Sequence, residues 1–368
     1  GARLMRDALA VDKWIFFSVL ALMAVGLTMV LSTSYLYAQE RFGDGIYFFR
    51  KQLIAMGAGL VGLIVGSLMP AALLRRLAYP LLAVTLIVLI LVLIPGIGVM
   101  RGGARRWLML PGFAFQPGEL AKLALVFYLA HSMARKQEKI KTFAVGVLPH
   151  LIVASAVLGL LLLQPDFGTA LILTVVLYLM LFMGGTRVPH LLGTGALALP
   201  VLAYVMLTAE YRLRRLLTFM DPWRDASNSG FQVIQSLIAF GSGQLWGRGL
   251  GESRQKLFYL PEAHTDFVYS VIGEEMGLLG ALAVLALFGI ILMRGLRLTS
   301  KIEEPFEQYF AFGLTVLLGM QGLIHMGVVM GLMPTKGLVL PFISYGGSAI
   351  VVNLAEVGLL LGLSRRRL

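Results

Sequence analysis

Apolar residues fill this chain in long blocks separated by short polar connections. About ten blocks reach ~17–25 residues, the length a helix needs to cross the hydrocarbon of a bilayer. They lie near 14–36, 46–68, 77–95, 117–133, 143–163, 168–184, 190–208, 268–293, 307–331 and 344–363. The pattern predicts an all-α, polytopic membrane protein, a single integral membrane unit over 1–368, without internal repeats. An even number of spans puts both termini on one side of the bilayer.

The basic residues choose that side. One set of short connections carries Arg3, Arg6 and Lys13, then Arg75 and Arg76, Arg135 to Lys141, Arg187, Arg294 to Lys301 and Arg365 to Arg367. The alternate set carries fewer: Arg41, Arg50, Lys51, Arg101, Arg105, Arg106 and Lys336. The positive-inside rule makes the first set, and both termini, cytoplasmic. The one long connection, 209–267, is then extracytoplasmic. Within it YRLRRLLTFM (211–220) interleaves basic and apolar residues at helical spacing, as a helix lying among headgroups does. Asp221-Pro222 stops it. FQVIQSLIAF (231–240) predicts a second helix, too short to span.

Composition agrees with the pattern. Of 368 residues 58% are hydrophobic and 14% charged, with a mean hydropathy of +0.84. The net charge of +12 does not point to nucleic acid, because the basic residues form short clusters between spans. Without cysteine, neither a disulfide nor a thiolate metal site exists. The first apolar block reads as too long for a cleavable signal peptide, and no small-residue site follows it.

Ionisable residues beside or within such blocks mark candidate chemistry. YLPEAHTDF (259–267) sets Glu262, His264, Thr265 and Asp266 directly before an apolar block. The bland reading is a helix N-cap by Thr265 or Asp266. Glu262 and His264 exceed what a cap needs, and a carboxylate at a membrane edge near arginines can act as a general base. Continuing the helix back to Asp266 puts Glu274 about 80° around from it. Glu119 and Lys122 are spaced to pair on one helix face, as a buried ion pair or as the lining of an outward polar cavity. Arg105, Arg106 and Trp107 serve either as an interfacial anchor or as a diphosphate fork with a sugar-stacking face. Asp166 in QPDFGT reads as a cap. Lys336 is nearly the only charge of its loop, Ser344 opens the last span within SYGGS, and Glu356 lies deeper. His325 reads as a hydrogen-bonded bundle histidine.

ARRW, QPGELAK, QPDFGT, FMDPW, GRGLGESRQKLFYLPEAHTDF and GLMPTKGLVLPFISYGGS follow one another in this chain. In order and topology they resemble the SEDS family, whose members are FtsW, RodA and SpoVE. The likeness covers nearly the whole chain, and LGESRQKLFYLPEAHTDF is nearer to FtsW and SpoVE than to RodA. The Gly118 of QPGE departs from the Ala or Ser frequent there, at a position that packs rather than reacts.

The resemblance implies a cell-division enzyme of the cytoplasmic membrane that polymerises lipid II into peptidoglycan glycan strands. Its partners would be a class B penicillin-binding protein and other division proteins. It implies that Asp266 is the essential aspartate, and that Arg105, Arg106, Trp107, Glu119 and Lys122 line the polar cavity. Glu262, His264, Lys336 and Ser344 join them as substrate-binding candidates. A divalent cation, Mg or Mn, is the one cofactor the diphosphate chemistry suggests. The rival expectations are a lipid II flippase and a non-catalytic scaffold for the cross-linking enzyme.

Overall fold

The computed structural model describes residues 11–101, 103–208, 210–226, 230–253, 265–334 and 337–366. Among the described residues, helices overlap each of the apolar blocks. They are α1 Lys13–Phe42, α2 Tyr47–Leu68, α3 Ala71–Leu93, α4 Pro117–Arg135, α5 Leu148–Leu163, α6 Phe167–Met183 and α7 Val188–Leu207. Beyond the long connection come α10 Val268–Glu275 running into α11 Gly277–Lys301, then α12 Pro305–Val329 and α13 Gly347–Arg365. Among the described residues seven helical segments are long and apolar enough to cross a membrane, while α6 and α7 are shorter apolar helices. The long connection contains α8 Glu210–Met220 and α9 Phe231–Gly243, the two helices expected there.

Side chains mark the helix starts. Asp12 caps α1 by accepting from the Trp14 and Ile15 amides, and Glu304 caps α12 by accepting from Glu307. The Asp12 carboxylate also takes two hydrogen bonds from Arg294 near the end of α11, at 2.9 and 2.6 Å. Its amide donates to Ser364 near the end of α13. Arg366 pairs with Glu307, and Arg75 with Glu304. These contacts gather the start of α1 and the end of α13 on one face.

Close helix packing relies on missing side chains. In α2, Gly59, Gly62 and Gly66 face α13, and in return a Cβ on Gly358 would lie 2.2 Å from the Leu63 carbonyl oxygen. Lipid tails are as apolar as leucine, so backbone proximity of this kind stabilises helix pairs in membranes. Helices α4, α12 and α13 are buried along most of their length, with Phe127, Phe310, Leu314, Leu354 and Leu361 among the buried residues.

Two features depart from the expectation. The connection between α3 and α4 is a three-stranded antiparallel sheet, β1 Gly98–Arg101, β2 Ala104–Leu110 and β3 Phe113–Phe115, in the order β1-β2-β3. Gly103 and Gly112, both at positive φ, lie in the turns that separate its strands. The block expected as one helix over 268–293 is instead broken after Glu275. Gly277 has φ +67°, and a Cβ there would lie 2.4 Å from the Gly247 amide nitrogen, so the chain turns where α9's trailing loop presses against it. Asp266 precedes α10 in a turn, so the helical phase relating it to Glu274 does not apply.

Candidate functional site

The face opposite the chain ends carries the polar candidates. Asp266 lies half-buried in the turn Thr265–Phe267, just before α10. The helix begins at Val268 with Phe267 in the capping position, which offers no side-chain cap. Beside the carboxylate runs 337–346, a non-helical segment that enters the bundle. The Asp266 Oδ2 is 3.4 Å from where a Cβ on Gly337 would stand. Further along, the Ser344 hydroxyl donates to the Thr265 carbonyl at 2.7 Å and accepts from the Leu340 amide at 2.8 Å. Ser344 is buried, and in this structure its hydroxyl serves the protein's own backbone.

The hairpin brings the arginines to the same end. In β1–β2 Val99 pairs with Trp107 and Met100 with Arg105, which leaves Arg106 as the extra residue of a bulge. A bulge re-aims its side chain. Arg106 accordingly reaches the α5–α6 connection, donating from Nε to Gln164 O at 3.0 Å and from a terminal nitrogen to Pro165 O. Arg105 donates to Leu93 O at 3.3 Å. Both guanidinium groups therefore anchor the hairpin to the bundle with part of their donor sets. Trp107 is half-buried in the middle of β2. Asp166 caps α6 through Thr169, as expected, and its Oδ2 points at Gly118 at the start of α4, 3.0 Å from where a Cβ would be.

Below this rim lies a buried polar cluster. Lys122 Nζ is 2.7 Å from Glu119 Oε2, with side chains 3% and 5% exposed, so the pair is an internal one. Glu119 Oε2 has no donor at a hydrogen-bonding angle, which makes the contact ionic in character. Lys122 also donates to Gln321 Oε1 at 2.5 Å. From α13, Glu356 comes within electrostatic range of the same two charges, Lys122 and Glu119. Glu356 and Asn353 are buried, and their side-chain polar atoms find no hydrogen-bond partner among the described residues. His325 donates from Nδ1 to Leu338 O at 2.7 Å, the structural part expected of it. Glu274 and Glu275 are buried too, accepting from Ser253 and Ser32 respectively.

Glu262, His264 and Lys336 lie outside the described residues. Among the described residues no three His, Cys, Asp or Glu side chains gather to hold a metal ion. Sequence reading passed over Gln52, a fully buried residue of α2 whose side chain binds the 344–346 backbone. A lone glutamine in an apolar block was the available signal.

Fold and rim together define a polytopic helical membrane protein with a polar rim at the end of the bundle opposite the start of α1 and a buried polar cluster just below it. The profile of the FtsW, RodA and SpoVE proteins, described as "Cell cycle protein", matches residues 12–368. A probable peptidoglycan glycosyltransferase FtsW from Geobacter metallireducens is 47% identical over 355 residues, covering 96% of this chain and 95% of the relative. Stage V sporulation protein E of Bacillus subtilis is 37% identical over 354 residues, covering 96% of this chain and 97% of that one. Among solved structures, one described as a peptidoglycan synthase complex coordinating polymerization and crosslinking superposes with a TM-score of 0.80 at 34% identity, covering 98% of this chain and 99% of that one. The rod shape determining protein RodA of Thermus thermophilus gives 0.72 at 32% identity, with 98% of each chain covered. The chain belongs to the FtsW/RodA/SpoVE family.

Proposed function

We propose that this protein is a peptidoglycan glycosyltransferase of cell division, polymerising lipid II at the outer face of the cytoplasmic membrane with Asp266 as general base. The observation that carries the reading is the placement of Asp266. It is a half-buried carboxylate in a braced turn, on the face opposite the chain ends and at the same end of the bundle as Arg105 and Arg106. The face holding the chain ends carries the larger share of basic connections and is the cytoplasmic one.

The chemistry follows from the substrate's parts. The polyprenyl tail stays in the bilayer, and the diphosphate lies at the headgroup level where guanidinium groups recognise it. Asp266 takes the proton from the 4-hydroxyl of the acceptor GlcNAc. That oxygen forms a bond to C1 of the donor MurNAc while the C1–O bond to the diphosphate breaks. Undecaprenyl diphosphate departs with the electron pair, and the configuration at C1 inverts. A diphosphate leaves without protonation, so one carboxylate suffices where glycosidases use two. A divalent cation would arrive with the diphosphate, whose oxygens supply the ligands that the described residues do not gather.

The arrangement favours polymerisation over lipid transport. A flippase needs a polar route through the bilayer, whereas the cluster here descends from the rim and ends at Glu356, in the middle of α13. The partner that fits is a class B penicillin-binding protein, and the septum is the expected location. The test is lipid II polymerisation by the purified full chain with its transpeptidase partner. Asp266→Asn is expected to abolish glycan-strand synthesis while the complex still assembles. Strand synthesis at the parental rate by that variant removes Asp266 as the base and leaves the scaffold reading.

A further inference from the structure

We infer that Gln52 and Ser344 are positioning residues that hold Asp266 in place through the 337–346 segment. The inference rests on the reading of Asp266 as the base.

The segment is an irregular backbone run inside a helical membrane bundle, where each peptide group needs a partner other than lipid. Leu338, Leu340, Phe342, Ile343 and Ser344 are all buried. Its partners come from two helices and from itself. His325 of α12 donates to Leu338 O at 2.7 Å. The Ile343 and Ser344 amides return to Leu340 O at 3.2 and 3.0 Å, closing one tight turn. Gln52 of α2, 0% exposed, holds the exit of that turn with both ends of its carboxamide. Its Nε2 donates to Ser344 O at 3.2 Å, and its Oε1 accepts from the Gly346 amide at 3.3 Å. The side-chain amide thus acts as the peptide group of a neighbouring strand. On the fourth side α1 contributes only space. A Cβ on Gly26 would stand 2.4 Å from Phe342 O, so the carbonyl of this residue, itself at φ +68°, nests against bare helix backbone.

A segment held this way transmits position at both of its contacts with the acidic turn. Gly337 backs the Asp266 carboxylate, and Ser344 grips the carbonyl of Thr265, the preceding residue. The hydroxyl of Ser344 links the two requirements, since it is oriented by Leu340 N–H and directed to Thr265. Losing either Gln52 or the Ser344 hydroxyl frees the turn carrying the base without touching the base itself. A base displaced by about 1 Å loses on the order of 10²-fold in rate, because proton transfer needs hydrogen-bond reach.

The experiment measures strand synthesis by the full chain with its transpeptidase partner, in parallel for Gln52→Met, Ser344→Ala, Ser344→Thr and Asp266→Asn. Gln52→Met keeps the side-chain volume in an apolar helix and removes both hydrogen bonds. Gln52→Met and Ser344→Ala are expected to lower kcat by about 10–10²-fold with KM for lipid II unchanged, the signature of a lost transition-state arrangement. Ser344→Thr, which retains the hydroxyl, is expected to recover most of kcat. Parental kcat in Gln52→Met, a loss that appears only in KM, or failure of Ser344→Thr to recover overturns the inference. An inactive Asp266→Asn beside a fully active Gln52→Met removes the positioning role alone. A fully active Asp266→Asn removes the base assignment on which that role depends.

Discussion

Lys122 is the residue whose removal the structure makes most informative. Its ammonium lies 2.7 Å from Glu119, donates to Gln321 at 2.5 Å, and acts electrostatically on Glu356. At an effective dielectric constant near 20 the Coulomb attraction at that separation is on the order of 6 kcal/mol, most of it offset by desolvating both ions. Lys122→Met keeps the volume and deletes the charge. It leaves Glu119, buried, without its paired cation and Glu356, also buried, without the ammonium that acts on it. Stranding one member of a buried pair costs about 3–5 kcal/mol. Thermal unfolding of the purified protein in detergent is expected to show a loss of that size. Glu119→Gln combined with Lys122→Met removes both charges and is expected to recover more than half of it, because a buried pair replaced as a unit is nearly neutral. A single variant within about 1 kcal/mol of the parent, or a double variant no better than the single, refutes the account of Lys122 as the internal counter-charge.

Three further outcomes follow from the packing. Glu356→Met deletes two buried oxygens that have no hydrogen-bond partner among the described residues, so stability in the same assay should rise by about 1–3 kcal/mol; a fall instead would mean that ordered water or the Lys122 charge satisfies them. Gly358→Ala puts a methyl 2.2 Å from the Leu63 carbonyl oxygen, so α2 and α13 must separate, with an overpacking cost of roughly 1–3 kcal/mol in thermal unfolding. Arg294→Ala breaks the pairing with Asp12, but the arginine side chain is 32% exposed, so the loss should be no more than about 1 kcal/mol and should shrink as salt is raised.

The amino-acid sequence alone determined what depends on contiguous residues. Apolar blocks of bilayer length placed the helices of the bundle, because a backbone in hydrocarbon must satisfy its own hydrogen bonds within the segment. Basic and apolar residues at helical spacing located α8, Asp166 declared itself a cap through Thr169, and the cluster before α10 marked Asp266 as the residue to examine. The hairpin of β1 to β3 was also written locally, in its two glycine turns, but its strands are too short to show a period against so apolar a background. What tertiary structure decided lies between distant positions. Arg106 meets Gln164, Lys122 meets Gln321, and Gln52 meets Ser344 across 292 residues of chain. A polar side chain in an apolar helix announces that it needs a partner. Which partner it finds depends on the rotation and depth of helices packed through glycine contacts, and no local pattern encodes those.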